Sequence, residues 1–186
     1  MIVNRIFLER YNQEYKHKGL MLRLLWILVS SIFFRSSFPF PSKLKSLILR
    51  AFGADVGVGV VIKPAVNIKY PWLLSLRDHC WVGEAVWIDN LAKVEIGESA
   101  CISQGAYLLT GNHNAFHCEF KLIVKPIALG QGAWVGAKAI VCPGVTLEDG
   151  AMLTAGSVAT KNLAGWSIYQ GNPAVLKKKR NIVEVS

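Results

Sequence analysis

Acidic residues are scarce in this chain: 12 Asp and Glu stand against 21 Lys and Arg, for a formal net charge of +9. Such a surplus marks a nucleic-acid binder where it is spread with aromatic residues over one face. Here it is not. Residues 1–50 hold nine Lys and Arg against Glu9 and Glu14, and Lys177–Arg180 adds four more, so the long middle of the chain is close to neutral. The sequence predicts no nucleic-acid partner. Cysteine is sparse as well, and Cys80, Cys101, Cys118 and Cys142 form no Cys-x-x-Cys pair. They read as small core residues or incidental thiols in a reducing cytoplasm. Long apolar runs are missing: Leu24–Phe34 is short for a membrane span and is bracketed by Arg23 and Arg35. Phe34-Arg35 is no small-residue cleavage site, so no translocation is expected.

What the chain does have is a period of six. Leu129, Val135, Val141, Leu147 and Leu153 recur at every sixth position, a spacing that fits neither a helix nor a plain alternating strand. Short straight segments joined by turns, with an aliphatic always at the same phase, are the signature of a β-helical coil stacking on its neighbours. Gly130 and Gly136 each follow a repeat aliphatic, where the backbone is expected to turn tightly with dihedrals that other residues resist. The same frame runs through Val56, Ile62, Ile68 and Leu74, restarts at Leu76, Val82, Ile88 and Val94, and restarts again at Ile96, Ile102 and Leu108. Each restart slips by two residues, as an insertion at one corner would, on coils of about 18 residues.

Residues 1–19 are polar and basic and read as a loosely held arm or a short helix. Residues 20–35 are rich in helix-forming Leu and Met, Pro39 and Pro41 stop that helix, and Ser42 is placed to cap a second one through Arg50. Three parts follow: a helical arm or cap over residues 1–52, a β-helix over 53–175, and a basic tail over 176–186. The frame breaks once, between Leu108 and Leu129, in a segment too long for a corner that holds His113 and His117. An excursion from a rigid scaffold is where function concentrates.

The segments WVGEAVWIDN (81–90), ISQGAYLLTGNH (102–113), WVGAKAIVCPGV (134–145) and GNPA (171–174) resemble the hexapeptide-repeat acyltransferases. Within them the chain is most similar to the colanic acid O-acetyltransferase-like enzymes of exopolysaccharide synthesis, over about residues 53–180. The resemblance implies an all-β fold, a left-handed parallel β-helix with an N-terminal α-helical cap, assembled as a homotrimer with each active site between two subunits. It implies acetyl-CoA as co-substrate, a saccharide or glycolipid acceptor, and no metal. His113, after the Thr-Gly pair, matches the family's general base. Trp134 matches an aromatic that closes the site on the thioester and the acceptor, and Asp89, Asn90, Asn112 and Asn114 fall among the polar substrate contacts. Gly136, Ala137, Ala155 and Gly156 would line the pantetheine arm, with Thr160 and Lys161 near the coenzyme's phosphates. One departure is Asn114, where relatives of this subgroup carry Asp.

Acetyl transfer from a thioester to a hydroxyl needs a base for the proton, donors for the developing oxyanion and exclusion of water. A neutral imidazole suits the first task and coil-corner amides the second. No cysteine paired with a histidine is evident, which favours direct transfer over an acyl-enzyme. Two other readings fit the same fold. One is a zinc-dependent carbonic anhydrase using His79, His113 and His117; the other is a non-catalytic scaffold subunit. The protein is expected in the cytoplasm, with residues 1–50 a candidate for peripheral contact with the inner face of the membrane through their charge and the apolar run.

Overall fold

The computed structural model describes residues 5–11, 15 and 18–183. The repeat aliphatics do what their period predicts. Each turns into the interior of a three-faced parallel solenoid, and Ile88, Ile96, Ile102, Leu108, Leu147 and Leu153 are all fully buried. Burying such a side chain is worth about 1.5–3 kcal/mol, and here it comes in vertical columns.

The first face stacks Asp55–Val56, Leu74–Leu76, Val94–Ile96, Ile127–Leu129 and Thr146–Leu147 in parallel. The third stacks Asn67–Ile68, Trp87–Asp89, Tyr107–Leu109, Ile140–Val141 and Val158–Ala159. The second begins at Val61–Ile62 and ends on Ser167–Gly171, with Ala174–Lys179 added antiparallel at its edge. The last pairing corrects the domain boundary: the basic segment is part of the sheet as far as Lys179.

Register locates the two-residue slip. Val82 pairs with Ile102, twenty residues on, while Val135 pairs with Leu153, eighteen on. The early coils are therefore longer than the expected length. Their extra residues lie at the corner from the third face to the first, before Leu74–Leu76 and Val94–Ile96, and the excursion after Leu109 leaves from that same corner. All the irregularity of the solenoid is gathered on one edge.

The repeat glycines differ from expectation. Gly83, Gly97, Gly130 and Gly136 are not among the positive-φ residues. They are glycine because the next coil's backbone leaves no room: a Cβ on Gly136 would lie 2.5 Å from the Ala155 amide nitrogen, and one on Gly83 2.7 Å from that of Gln104. Coil stacking, rather than turn geometry, selects them.

Two helices precede the coils, α1 (Leu20–Phe33) and α2 (Ser42–Ala51). Helix α2 lies on the first coil. Lys45 is buried, with its ammonium donating to the Ile62 and Lys63 carbonyls, and burial pulls its pKa down. The Arg50 guanidinium donates to the carbonyls of Val56 and Gly57. Ser42 makes no cap; its hydroxyl accepts the Ile62 amide and ties the helix to the coil. Helix α1 is anchored by Trp26, whose indole N–H donates to the Ile68 carbonyl and whose ring packs on Phe34 and Phe52. Leu20, Leu24, Leu25, Ile27 and Leu28 remain exposed. Among the described residues no helix is long and apolar enough to cross a membrane.

Cys80 belongs to an interior column, fully buried, and its thiol is pushed up to about 12, mainly by burial. It should therefore resist maleimide labelling in the native protein at about pH 8 and react only on unfolding. Peptide mapping of the labelled sites reads this directly, and rapid native labelling of Cys80 would contradict its inward position.

Candidate active site

The excursion is an antiparallel hairpin, Gly111–His113 paired with Leu122–Val124, so the sequence between Leu108 and Leu129 is built rather than loose. It presents His113 half-buried. The imidazole Nδ1 lies 2.9 Å from the Phe120 carbonyl oxygen, and the ring stacks on the Phe120 ring at 4.4 Å and 8°. A carbonyl only accepts, so Nδ1 carries the proton and Nε2 is left with a free lone pair. That is the tautomer a base needs. Phe120 holds this geometry at φ +47°, a left-handed conformation that costs a non-glycine residue about 1–2 kcal/mol. Strain of this kind gathers where a site must be fixed.

His113 opens on a cleft of about 330 Å³ that it lines with Lys69, Tyr70, Asp89, Leu91, Gly111 and Leu122, and with Tyr11 from the N-terminal arm. Asp89 is ion-paired with Lys69 at 2.7 Å and accepts the Tyr107 hydroxyl at 3.3 Å. Burial, and secondarily that carboxylate, push the Tyr107 phenol up to about 12. The arm closes one side: the Phe7 amide donates to the Cys118 carbonyl, Tyr11 sits 5.7 Å from the His113 ring, and the Tyr15 hydroxyl donates to the Leu91 carbonyl. Little chemistry was legible in residues 1–19, yet Phe7, Tyr11 and Tyr15 frame the site. Lys69, Tyr70 and Leu91 carry no motif either; the signal that could have found them is the slip of the repeat frame, which marks their corner.

Other expected residues fall in different places. Asn90 is a correction: it is fully buried, its Oδ1 accepts the Tyr70 amide at 2.9 Å and its Nδ2 donates to the Tyr70 carbonyl at 2.6 Å, so it braces a corner and presents no surface to a substrate. Asn112 is exposed and accepts the His113 amide, while the Asn114 Oδ1 accepts the Phe116 amide and shapes the hairpin turn. Trp134 lies on the second face, partly exposed, with its indole N–H donating to the Ser103 hydroxyl.

Gly136-Ala137 and Ala155-Gly156 stack on one another at the corner from the second face to the third, the Gly156 amide donating to the Ala137 carbonyl. Thr160 and Lys161 are exposed on the hairpin's corner, two coils further along. Within one chain, then, His113 and the Gly136–Ala155 corner stand at opposite edges of the third face. His79 is in the turn that joins the first face to the second, away from the hairpin, and among the described residues no three His, Cys, Asp or Glu converge as a metal-binding group. His117 accepts the Glu119 amide within the hairpin.

No protein-family model matches the chain. It is 38% identical over 156 residues, 84% of its length and 86% of the relative's, to the Escherichia coli (strain K12) protein named as the colanic acid biosynthesis acetyltransferase WcaF. It is 24% identical to the galactoside O-acetyltransferase of the same organism, over 80% of this chain and 74% of that one. In fold it matches a hexapeptide-repeat acetyltransferase of Vibrio cholerae solved with acetyl coenzyme A, with a TM-score of 0.80 over 94% of this chain and 98% of that one at 17% identity. A parallel solenoid with a histidine hairpin at one corner and a relative this similar over most of both chains lead to one placement: the chain belongs to the WcaF family of hexapeptide-repeat acetyltransferases.

Proposed function

We propose that the protein is an acetyl-CoA-dependent O-acetyltransferase acting on a hydroxyl of a sugar, free or carried on an exopolysaccharide or lipid-linked precursor. The observation that carries this reading is the His113 imidazole, held through Nδ1 by the Phe120 carbonyl in the wall of a polar cleft. The thioester supplies the activated acetyl group. Nε2 takes the proton of the acceptor hydroxyl, whose oxygen attacks the thioester carbonyl; the carbon–sulfur bond breaks and the proton returns from the imidazolium to the sulfur, giving the ester and free CoA. The ion pair of Lys69 and Asp89 orients the acceptor, and Leu91 and Leu122 keep water from that side.

Acetyl-CoA is assigned to the corner of Gly136, Ala137, Ala155 and Gly156, with Trp134 at its side, while Thr160 and Lys161, on the opposite corner of the same chain, would reach the phosphates from the neighbouring subunit. The close coil stacking there leaves backbone in reach of a pantetheine arm. Because that corner and His113 lie at opposite edges of one face, the reading includes a homotrimer of left-handed coils in which one subunit's histidine meets the thioester held by its neighbour. Fully active monomer in sedimentation and assay would rule the trimer out.

The deciding experiment is an acceptor screen with acetyl-CoA, following free thiol release and acetyl ester by mass spectrometry. Ester formation on a saccharide hydroxyl is the expected outcome. Binding of neither CoA nor any sugar would leave a scaffold and overturn the reading.

A further inference from the structure

The cleft of His113 does not end at Asp89. A second cleft, of about 340 Å³, shares Lys69, Tyr70 and Asp89 with it and runs on between α1 and the third face. Its character is different. Leu20, Leu24 and Ile27 of α1 form one wall, with Ile68 and Trp87 opposite, and two arginines, Arg23 and the exposed Arg35, line it as well. The Nε of Arg23 is buried and has no hydrogen-bond partner among the described residues. Burying such a donor without an acceptor is costly, and an oxyanion is the ligand that would satisfy it best. Neither Arg23 nor Arg35 takes part in an ion pair among the described residues, and the one carboxylate nearby, Asp89, is already matched by Lys69 at 2.7 Å. Among the described residues the two arginines in this cleft are thus without an ion-pair partner.

We propose that the α1 cleft is a subsite for an amphiphilic acceptor: a single isoprenoid or alkyl chain lies along Leu20, Leu24 and Ile27, its phosphate or diphosphate group meets Arg23 and Arg35, and the sugar it carries reaches past Asp89 to His113. This deepens the acetyltransferase reading and rests on it for the sugar end. The continuity of the two clefts sets the order of the parts, since apolar wall, cations and base follow one another along one groove. A chain longer than the cleft continues onto the exposed Met21, Leu25 and Leu28 of α1, which the solenoid leaves uncovered.

Calorimetric titration of the full-length protein with farnesyl diphosphate tests this without knowledge of the sugar. Farnesyl diphosphate is expected to bind at least about tenfold more tightly than inorganic diphosphate or farnesol, because charge and apolar surface act together. Arg23→Gln should remove about tenfold of that affinity and leave farnesol binding as it was, while Leu24→Glu, an exposed helix position that should still fold, should weaken both. Indifference to both substitutions, or displacement of farnesyl diphosphate by CoA, would overturn the proposal, the latter by giving the cleft to the coenzyme. Binding of phosphatidylglycerol vesicles with no binding of farnesyl diphosphate would overturn it too, because α1 would then serve a bilayer surface and not the acceptor. CoA binding measured on the same samples separates the two failures. Its loss breaks the acetyltransferase reading, whereas its retention without farnesyl diphosphate binding breaks only this one.

Discussion

Replacing His113 by Ala is expected to cut acetyl transfer at least about a hundredfold while leaving CoA binding nearly intact, since a general base acts on the transition state and not on the bound thioester. The imidazole is half-buried on a hairpin outside the solenoid core, so the melting temperature should barely move. That combination separates a catalytic role from a structural one. The Phe120 carbonyl sharpens the expectation, because in the neutral ring it takes the Nδ1 hydrogen bond and leaves the lone pair on Nε2. Asn114 spends its side chain on the Phe116 amide, and the ring's Nδ1 has a backbone carbonyl as its partner. Orientation of the His113 ring is therefore supplied by the hairpin itself. Steady-state kinetics with a saccharide acceptor, with CoA titrated separately, measures both quantities, and retained turnover in the Ala variant would sink the assignment.

Much of this architecture was legible in the sequence because a solenoid writes its interior into a short period. Ile88, Leu108 and Val141 could be assigned inward positions before any coordinates, and they are fully buried. The slip of two residues was legible as well, but its consequence was not: it lengthens the corner that carries the site, and nothing in the letters Lys69, Tyr70 or Leu91 says that they converge on His113. Those contacts are set by coil-to-coil register, which spans twenty residues. The N-terminal arm was beyond reach for a different reason. Phe7 and Tyr11 belong to no repeat and meet the hairpin through one backbone hydrogen bond and a tilted ring contact, a long-range contact that no local pattern encodes. The glycines illustrate a right residue read for the wrong cause, since conformational freedom and close approach select the same amino acid.

Asn90 carries the other large expected effect. Its position is two residues after the inward Ile88, so strand alternation turns it inward too, as it does Thr110 after Leu108; a polar residue at that phase braces the corner and does not meet solvent. Asn90→Ala would leave the Tyr70 N–H and C=O without the partners they have at 2.9 and 2.6 Å. Each part-buried group so stranded costs up to about 1–3 kcal/mol, or up to about 2–6 kcal/mol together. For a domain of this size that corresponds to a fall in melting temperature of about 4–24 °C. Asn90→Asp should be no milder, because it keeps the acceptor for the Tyr70 amide but sets a carboxylate oxygen against the Tyr70 carbonyl, with desolvation of the charge added. Tyr70 walls both clefts, so acetyl transfer measured well below the melting point should drop in each variant through a displaced Lys69–Asp89 pair. A residue that merely touched the acceptor would behave in the opposite way. Its loss would raise the acceptor KM at an unchanged melting temperature, and that result, read by calorimetry and kinetics on the Ala variant, would return Asn90 to the substrate side of the wall.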